Sequence, residues 1–153
     1  MTVSFINLAR EKQAMQIVSA LEKRNMKGYY CKTKEECRDL VLSMIEEGSS
    51  VTWGGSESIK ECSIPQALSE KGTYNIIDRA KYAPENMKEY YKKAFGADYY
   101  LMSSNAITLD GEMMNIDGNG NRVASLIFGP EKVIVVCGMN KVVSSIEDAY
   151  DRI

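Results

Sequence analysis

Histidine is missing from the chain altogether. Its absence excludes Ser-His-Asp and Cys-His nucleophilic machinery. The four cysteines, Cys31, Cys37, Cys62 and Cys137, form no CxxC pair. With no histidine and no carboxylate cluster at ligand spacing, no intrinsic zinc, iron–sulfur centre or other cofactor is expected. Scattered cysteines read as small hydrophobes in a reducing compartment, which gives a cytoplasmic address. No apolar run nears the roughly 20 residues that span a bilayer, and Met1–Ala9 lacks the pattern of a signal peptide, so no membrane partner is expected. There is no Lys/Arg cluster, and the net charge is −2. A basic stripe for nucleic acid is therefore excluded.

What is present is ordinary for a globular protein: 153 residues, 44% apolar and 26% charged. That length suits one domain spanning 1–153. Apolar positions at helical spacing run from Leu8 to Met26, with Gly28 after them as a stop. Tyr29–Lys32 reads as a short strand. Thr33 with Glu36 makes a capping box for a helix ending at Gly48. Ser50–Trp53 is a strand, and Ser58 with Glu61, then Ser63 with Gln66, are further caps. Tyr74–Ile77 is a third strand, 78–84 a loop, and Met87–Phe95 an apolar helix stripe. Strand Tyr99–Met102, a hairpin at Asp110-Gly111, a helix over 121–128 and strand Lys132–Cys137 follow, and Ser144 with Glu147 caps a last helix. Strands alternating with helices predict an α/β fold, a three-layer αβα sandwich around a mainly parallel sheet. Ile153 lies on the last helix's apolar stripe with no stop signal behind it, so the natural chain is expected to continue, and open apolar surface there invites a homodimer or another partner.

The chemistry-bearing residues concentrate in the back half. After Tyr99–Met102 comes a polar, glycine-spaced stretch, Ser103 to Arg122. Polar groups at a strand end are how open α/β sheets build a ligand crevice. Ser103, Ser104 and Asn105 offer hydroxyl and amide donors. Asp110, Glu112 and Asp117 are candidate catalytic acids or bases, given a raised pKa. Asp110-Gly111 also fits a plain hairpin turn, and that reading weighs more. Asn115 precedes the densest run, Asp117-Gly118-Asn119-Gly120-Asn121-Arg122. Glycines opening the backbone before a helix make an anion cradle, and Arg122 can supply a fork to phosphate or carboxylate; a long helix cap is the alternative. Gly54-Gly55-Ser56 is a strand-to-helix turn that either binds an anion or only turns the chain. Asn140 and Lys141 follow the last strand and would reach the same carboxyl edge, or simply precede a helix. A small anionic or phosphorylated ligand is thus the expected partner.

The strings SSNAITLDGEMMNIDGNGNR (103–122), VTWGGSESI (51–59) and VIVVCGMNKVV (133–143) resemble the LUD-domain family, of the lactate-utilisation protein C type. The resemblance covers nearly the whole chain. It implies a fold like that of ribose-5-phosphate isomerase, glucosamine-phosphate deaminase and the coenzyme A transferases, in which glycine-rich turns hold phosphate. Gly96-Ala97-Asp98 with Asp110-Gly111 and Asn115 is also similar to the sugar-phosphate isomerase pattern, which would make Asp98 or Asp110 the acid. Lactate-utilisation members act with iron–sulfur partner proteins in oxidising L-lactate to pyruvate. Two functions follow as expectations: an accessory subunit of lactate oxidation, or an enzyme for a sugar-phosphate or acyl-CoA-like substrate. Whether this chain performs chemistry itself stays open at this level.

Overall fold

Ser50-Val51-Thr52-Trp53 and Tyr99-Tyr100-Leu101-Met102 are short, apolar and rich in β-branched or aromatic residues, and both become strands buried on two faces. A computed structural model of the chain describes residues 5–153. These fall into two compact units: one holds Lys34–Ser103 and Ile116–Val136, the other the stretch ending at Thr33 with Ser104–Asn115 and Cys137–Ile153. The chain passes between them four times, so the boundaries leave no linker for a sequence reading to find.

The larger unit is built on β1 (Ser50–Trp53), β2 (Asn75–Ile77), β3 (Tyr99–Met102) and β6 (Lys132–Val135), in the order β2-β1-β3-β6. All three pairings are parallel. Alternation along the strands assigns side chains to two faces. Val51, Tyr99 and Leu101 join Val41 of α2 (Lys34–Met44), Ile45 just past its end, Ile59 of α3 (Glu57–Glu61), and Ile64 and Leu68 of α4 (Ile64–Lys71) in one core. On the other face, Thr52 Oγ1 lies 3.2 Å from the hydroxyl of Tyr90 on α5 (Met87–Phe95), and Tyr100 shares a hydrogen bond with Ser125 on α6 (Asn121–Phe128). This unit is therefore a three-layer αβα arrangement, and the expected fold class holds. Pro65 sits in the first turn of α4 and Gly72 ends it at φ +67°, as the residues predicted.

The smaller unit contains α1 (Phe5–Lys23), β4 (Ala106–Thr108), β5 (Met113–Met114), β7 (Val142–Val143) and α7 (Ile146–Arg152). Its sheet order is β5-β4-β7, with an antiparallel β4–β5 hairpin and β7 parallel to β4.

Several local expectations are corrected. Tyr29–Lys32 is not a strand of either sheet, and Tyr29 is 57% exposed. Helix α1 ends at Lys23, followed by Asn25 at φ +59°, rather than at Gly28. Gly28 serves close packing: a Cβ there would come within 2.9 Å of the Val18 backbone. Helix α2 stops at Met44, short of Gly48. Ser56, not Ser58, caps α3, and Ser145, not Ser144, caps α7, accepting from the N–H of Asp148. Ser63 precedes α4 in a left-handed conformation and makes no side-chain cap. Strand β7 was not foreseen; two valines give no periodicity to read.

Candidate functional site

In a parallel sheet all carboxyl ends lie along one edge. In the larger unit, that edge gathers Gly54 after β1 and Ser103 after β3. The N–H of Gly54 donates to the carbonyl of Leu101 at 3.0 Å, which closes the turn against β3. The loop Ile116–Gly120 and helix α6 meet the same edge through Arg122, whose Nη1 donates to the Ser103 carbonyl at 3.0 Å.

Asp117 and Arg122 form the centre of this arrangement. Arg122 Nε donates to Asp117 Oδ1 at 2.7 Å, and Nη2 donates to the Ile116 carbonyl at 2.8 Å. The second carboxylate oxygen, Oδ2, accepts the N–H of Val123 at 2.7 Å. Gly120 is the formal cap residue and has no side chain, so Asp117 reaches over it to satisfy the third helical N–H. Its negative charge also meets the positive end of α6. The side chains of Arg122 and Asp117 are only 20% and 10% exposed. The residues expected as catalytic acid and ligand fork are thus each other's partners, and part of their hydrogen-bonding capacity is committed to each other and to the local backbone.

Beneath the pair lies Tyr100, 2% exposed and absent from the residues singled out by sequence. Burial pushes its hydroxyl up to about 12, with Tyr90 and Asp117 adding to the effect and Arg122 and Ser125 opposing it. At neutral pH it is a phenol. A Cβ on Gly54 would stand 2.8 Å from the Tyr100 oxygen, so that glycine is set by close approach. Gly55 and Gly118 have open space around them, and Gly120 adopts φ +71°. Ser56 is occupied as the cap of α3, its Oγ accepting from the Ile59 N–H at 3.5 Å. A shallow cleft of about 310 Å³ opens beside this loop, lined by Tyr91, Phe95, Asn119, Gly120, Asn121 and Ala124.

The other expected residues belong to the smaller unit. Asp110 and Gly111 make the β4–β5 turn: Thr108 N–H donates to the Glu112 carbonyl at 2.9 Å, and Gly111 sits at φ +79° against Ala20 and Leu21. Glu112 Oε2 accepts from the Thr108 hydroxyl at 3.2 Å, and Arg24 lies 3.7 Å from Oε1. Arg24 Nε also donates to the Asp110 carbonyl. Ser104, 1% exposed, donates its hydroxyl between the carbonyls of Ala106 and Met114, and Asn105 N–H donates to Met114 O at 3.1 Å. Asn140 folds back over Gly138, and Lys141 closes a single 3₁₀ turn (Met139–Lys141) ahead of β7. Asn115 differs from its neighbours: its Oδ1 is buried without a hydrogen-bond partner, the one such side-chain atom among the described residues. Orphaned acceptors cost about 1–3 kcal/mol and are uncommon in native folds, so this amide stands out as a ligand-facing candidate.

Asp98 is placed away from the carboxyl edge, just before β3. Its Oδ2 accepts from the backbone N–H of Ser50 at 2.7 Å and from the Ser50 hydroxyl at 2.8 Å. These two bonds, backbone first, hold its carboxyl below the usual 3.8. It pins the amino ends of β1 and β3 together, which is a structural task. An anion favoured in the fold stabilises the protein above its unfolded pKa, and that contribution disappears as pH falls through the lower folded value. Wild type is therefore expected to be more stable than Asp98→Asn at pH 7, with the gap closing below about pH 3.8. Urea unfolding of both proteins across the acid range measures this.

Among the described residues no group of three or more His, Cys, Asp or Glu is placed to hold a metal ion, and no helix is long and apolar enough to cross a membrane. All four cysteines are thiols. No curated protein sequence matches the chain. The LUD-domain profile matches residues 14–153, from within α1 to the end of α7. Coverage on that scale settles the family: the chain belongs to the LUD-domain family.

Proposed function

We propose that this LUD-domain protein serves the cytoplasmic oxidation of L-lactate to pyruvate as an accessory subunit beside iron–sulfur partner proteins. The family match over residues 14–153 carries this reading. The two electrons leaving lactate pass one at a time through the partners' clusters to an acceptor, the two protons are released to solvent, and this chain helps assemble the competent complex. The decisive experiment is reconstitution with the iron–sulfur partners and an artificial electron acceptor. Lactate-dependent reduction of the acceptor is expected only when this chain is added. Equal turnover without it refutes the role.

A second reading is favoured by the open glycines at 118 and 120 beside a cleft: an enzyme for a small phosphorylated ligand. Asn119 and Asn121 line the cleft beside that loop. Ligands that bind only the folded state raise its melting temperature by mass action. In a panel of lactate, pyruvate, sugar phosphates, nucleotides and CoA esters, a sugar phosphate or CoA ester is expected to raise Tm by a few degrees. A panel with no shift ends this reading.

A further inference from the structure

Two exposed helix faces of this chain carry one arrangement with opposite charge. On α5, Lys88, Tyr91 and Lys92 occupy positions i, i+3 and i+4; on α7, Glu147, Tyr150 and Asp151 repeat the spacing. Residues so spaced share a helix face. All four charged side chains are exposed, and among the described residues none of them is in an ion pair. The neighbouring Lys93, by contrast, is paired with Glu89 at 2.9 Å. Tyr150 is 68% exposed, and tyrosine, with an apolar ring and a polar tip, is a residue enriched at interfaces. Beside α5, helix α6 presents Ile127 at 76% and Phe128 at 89% exposure, on the same face as Ala124. Uncovered apolar groups rimmed by charge mark a contact surface.

We propose that α7 of one copy docks on α5 and the outer end of α6 of a second copy. Glu147 and Asp151 face Lys88 and Lys92, and Tyr150 lies against Tyr91 and Phe128. The occupant is argued from the charge pattern. Carboxylates four residues apart on one helix and ammoniums four residues apart on the other both span a rise of about 6 Å, so a single register pairs both. The ion pairs select partner and register, and the aromatic contact supplies the drive.

Sedimentation equilibrium of the 153-residue chain tests this. Wild type is expected to associate with rising concentration, and less so in high salt. Lys88→Glu/Lys92→Glu and Glu147→Lys/Asp151→Lys are each expected to weaken association about tenfold or more, with circular dichroism unchanged. Mixing the two reversed variants restores it, because each then offers the charge that the other's helix needs. The proposal is overturned by a wild-type chain that stays monomeric throughout, including one that instead captures a different acidic protein. It is equally overturned by reversed variants that associate like wild type, or by a mixture that fails to recover.

Discussion

Asp117→Ala is expected to cost about 3 kcal/mol of stability, a fall in Tm of roughly 6–12 °C for a chain of this size. Two losses combine. The N–H of Val123 forfeits its acceptor at the head of α6, typically worth about 1 kcal/mol. Arg122, 20% exposed and still tied to the carbonyls of Ser103 and Ile116, is left without its counter-charge. Because an uncompensated charge accounts for much of the damage, Asp117→Ala/Arg122→Met is expected to be more stable than Asp117→Ala alone. Urea denaturation of the three proteins decides it. If the double variant is worse by the sum of two independent losses, the pair is not a unit. The same variants also separate stability from function, since a folded double variant that still supports lactate oxidation frees Asp117 and Arg122 of any direct role.

Gly54→Ala is expected to cost about 2 kcal/mol, the range for overpacking a well-filled site. The new methyl would stand 2.8 Å from the Tyr100 hydroxyl, and a ring that is 2% exposed between two layers has little room to withdraw. Removing the obstacle is the control. Tyr100→Phe alone loses the hydrogen bond with Ser125, at about 1 kcal/mol, yet in the Gly54→Ala background it is expected to recover stability. Thermal unfolding of the double-mutant cycle reads the coupling directly. Additive effects would mean that Gly54 is needed for the turn and not for the tyrosine.

How far the residues revealed this structure depends on the range of the interaction. Strands β1, β3 and β6 and helices α5 and α6 were legible, because apolar runs bounded by glycine carry their own period. The Asp110-Gly111 hairpin was legible because its turn chemistry is local. Caps were found one or two residues out of place. Ser56 and Ser58, like Ser144 and Ser145, are chemically equal, and only the three-dimensional position of one N–H selects between them. The candidate site was read as a dense polar run, and it is one. Its inner pairing was hidden, because an acid and an arginine five residues apart reveal nothing of whether they face a ligand or each other. Tyr100 was hidden more thoroughly. In an apolar strand a tyrosine looks like packing, and its importance comes from Gly54, Asp117 and Arg122, which only the fold brings near.

The four passages of the chain between its two units have a consequence for synthesis at the ribosome. The parallel sheet of the larger unit receives its last strand, β6, only after residues 104–115 have been laid down for the smaller one. Tyr99–Met102 therefore waits with one edge unpaired until Lys132 emerges, at about 5–20 residues per second. Neither unit can be finished and set aside before the other is begun. A ribosome pausing between those points would hold a nascent chain with an open apolar strand edge, the kind of surface that chaperones recognise.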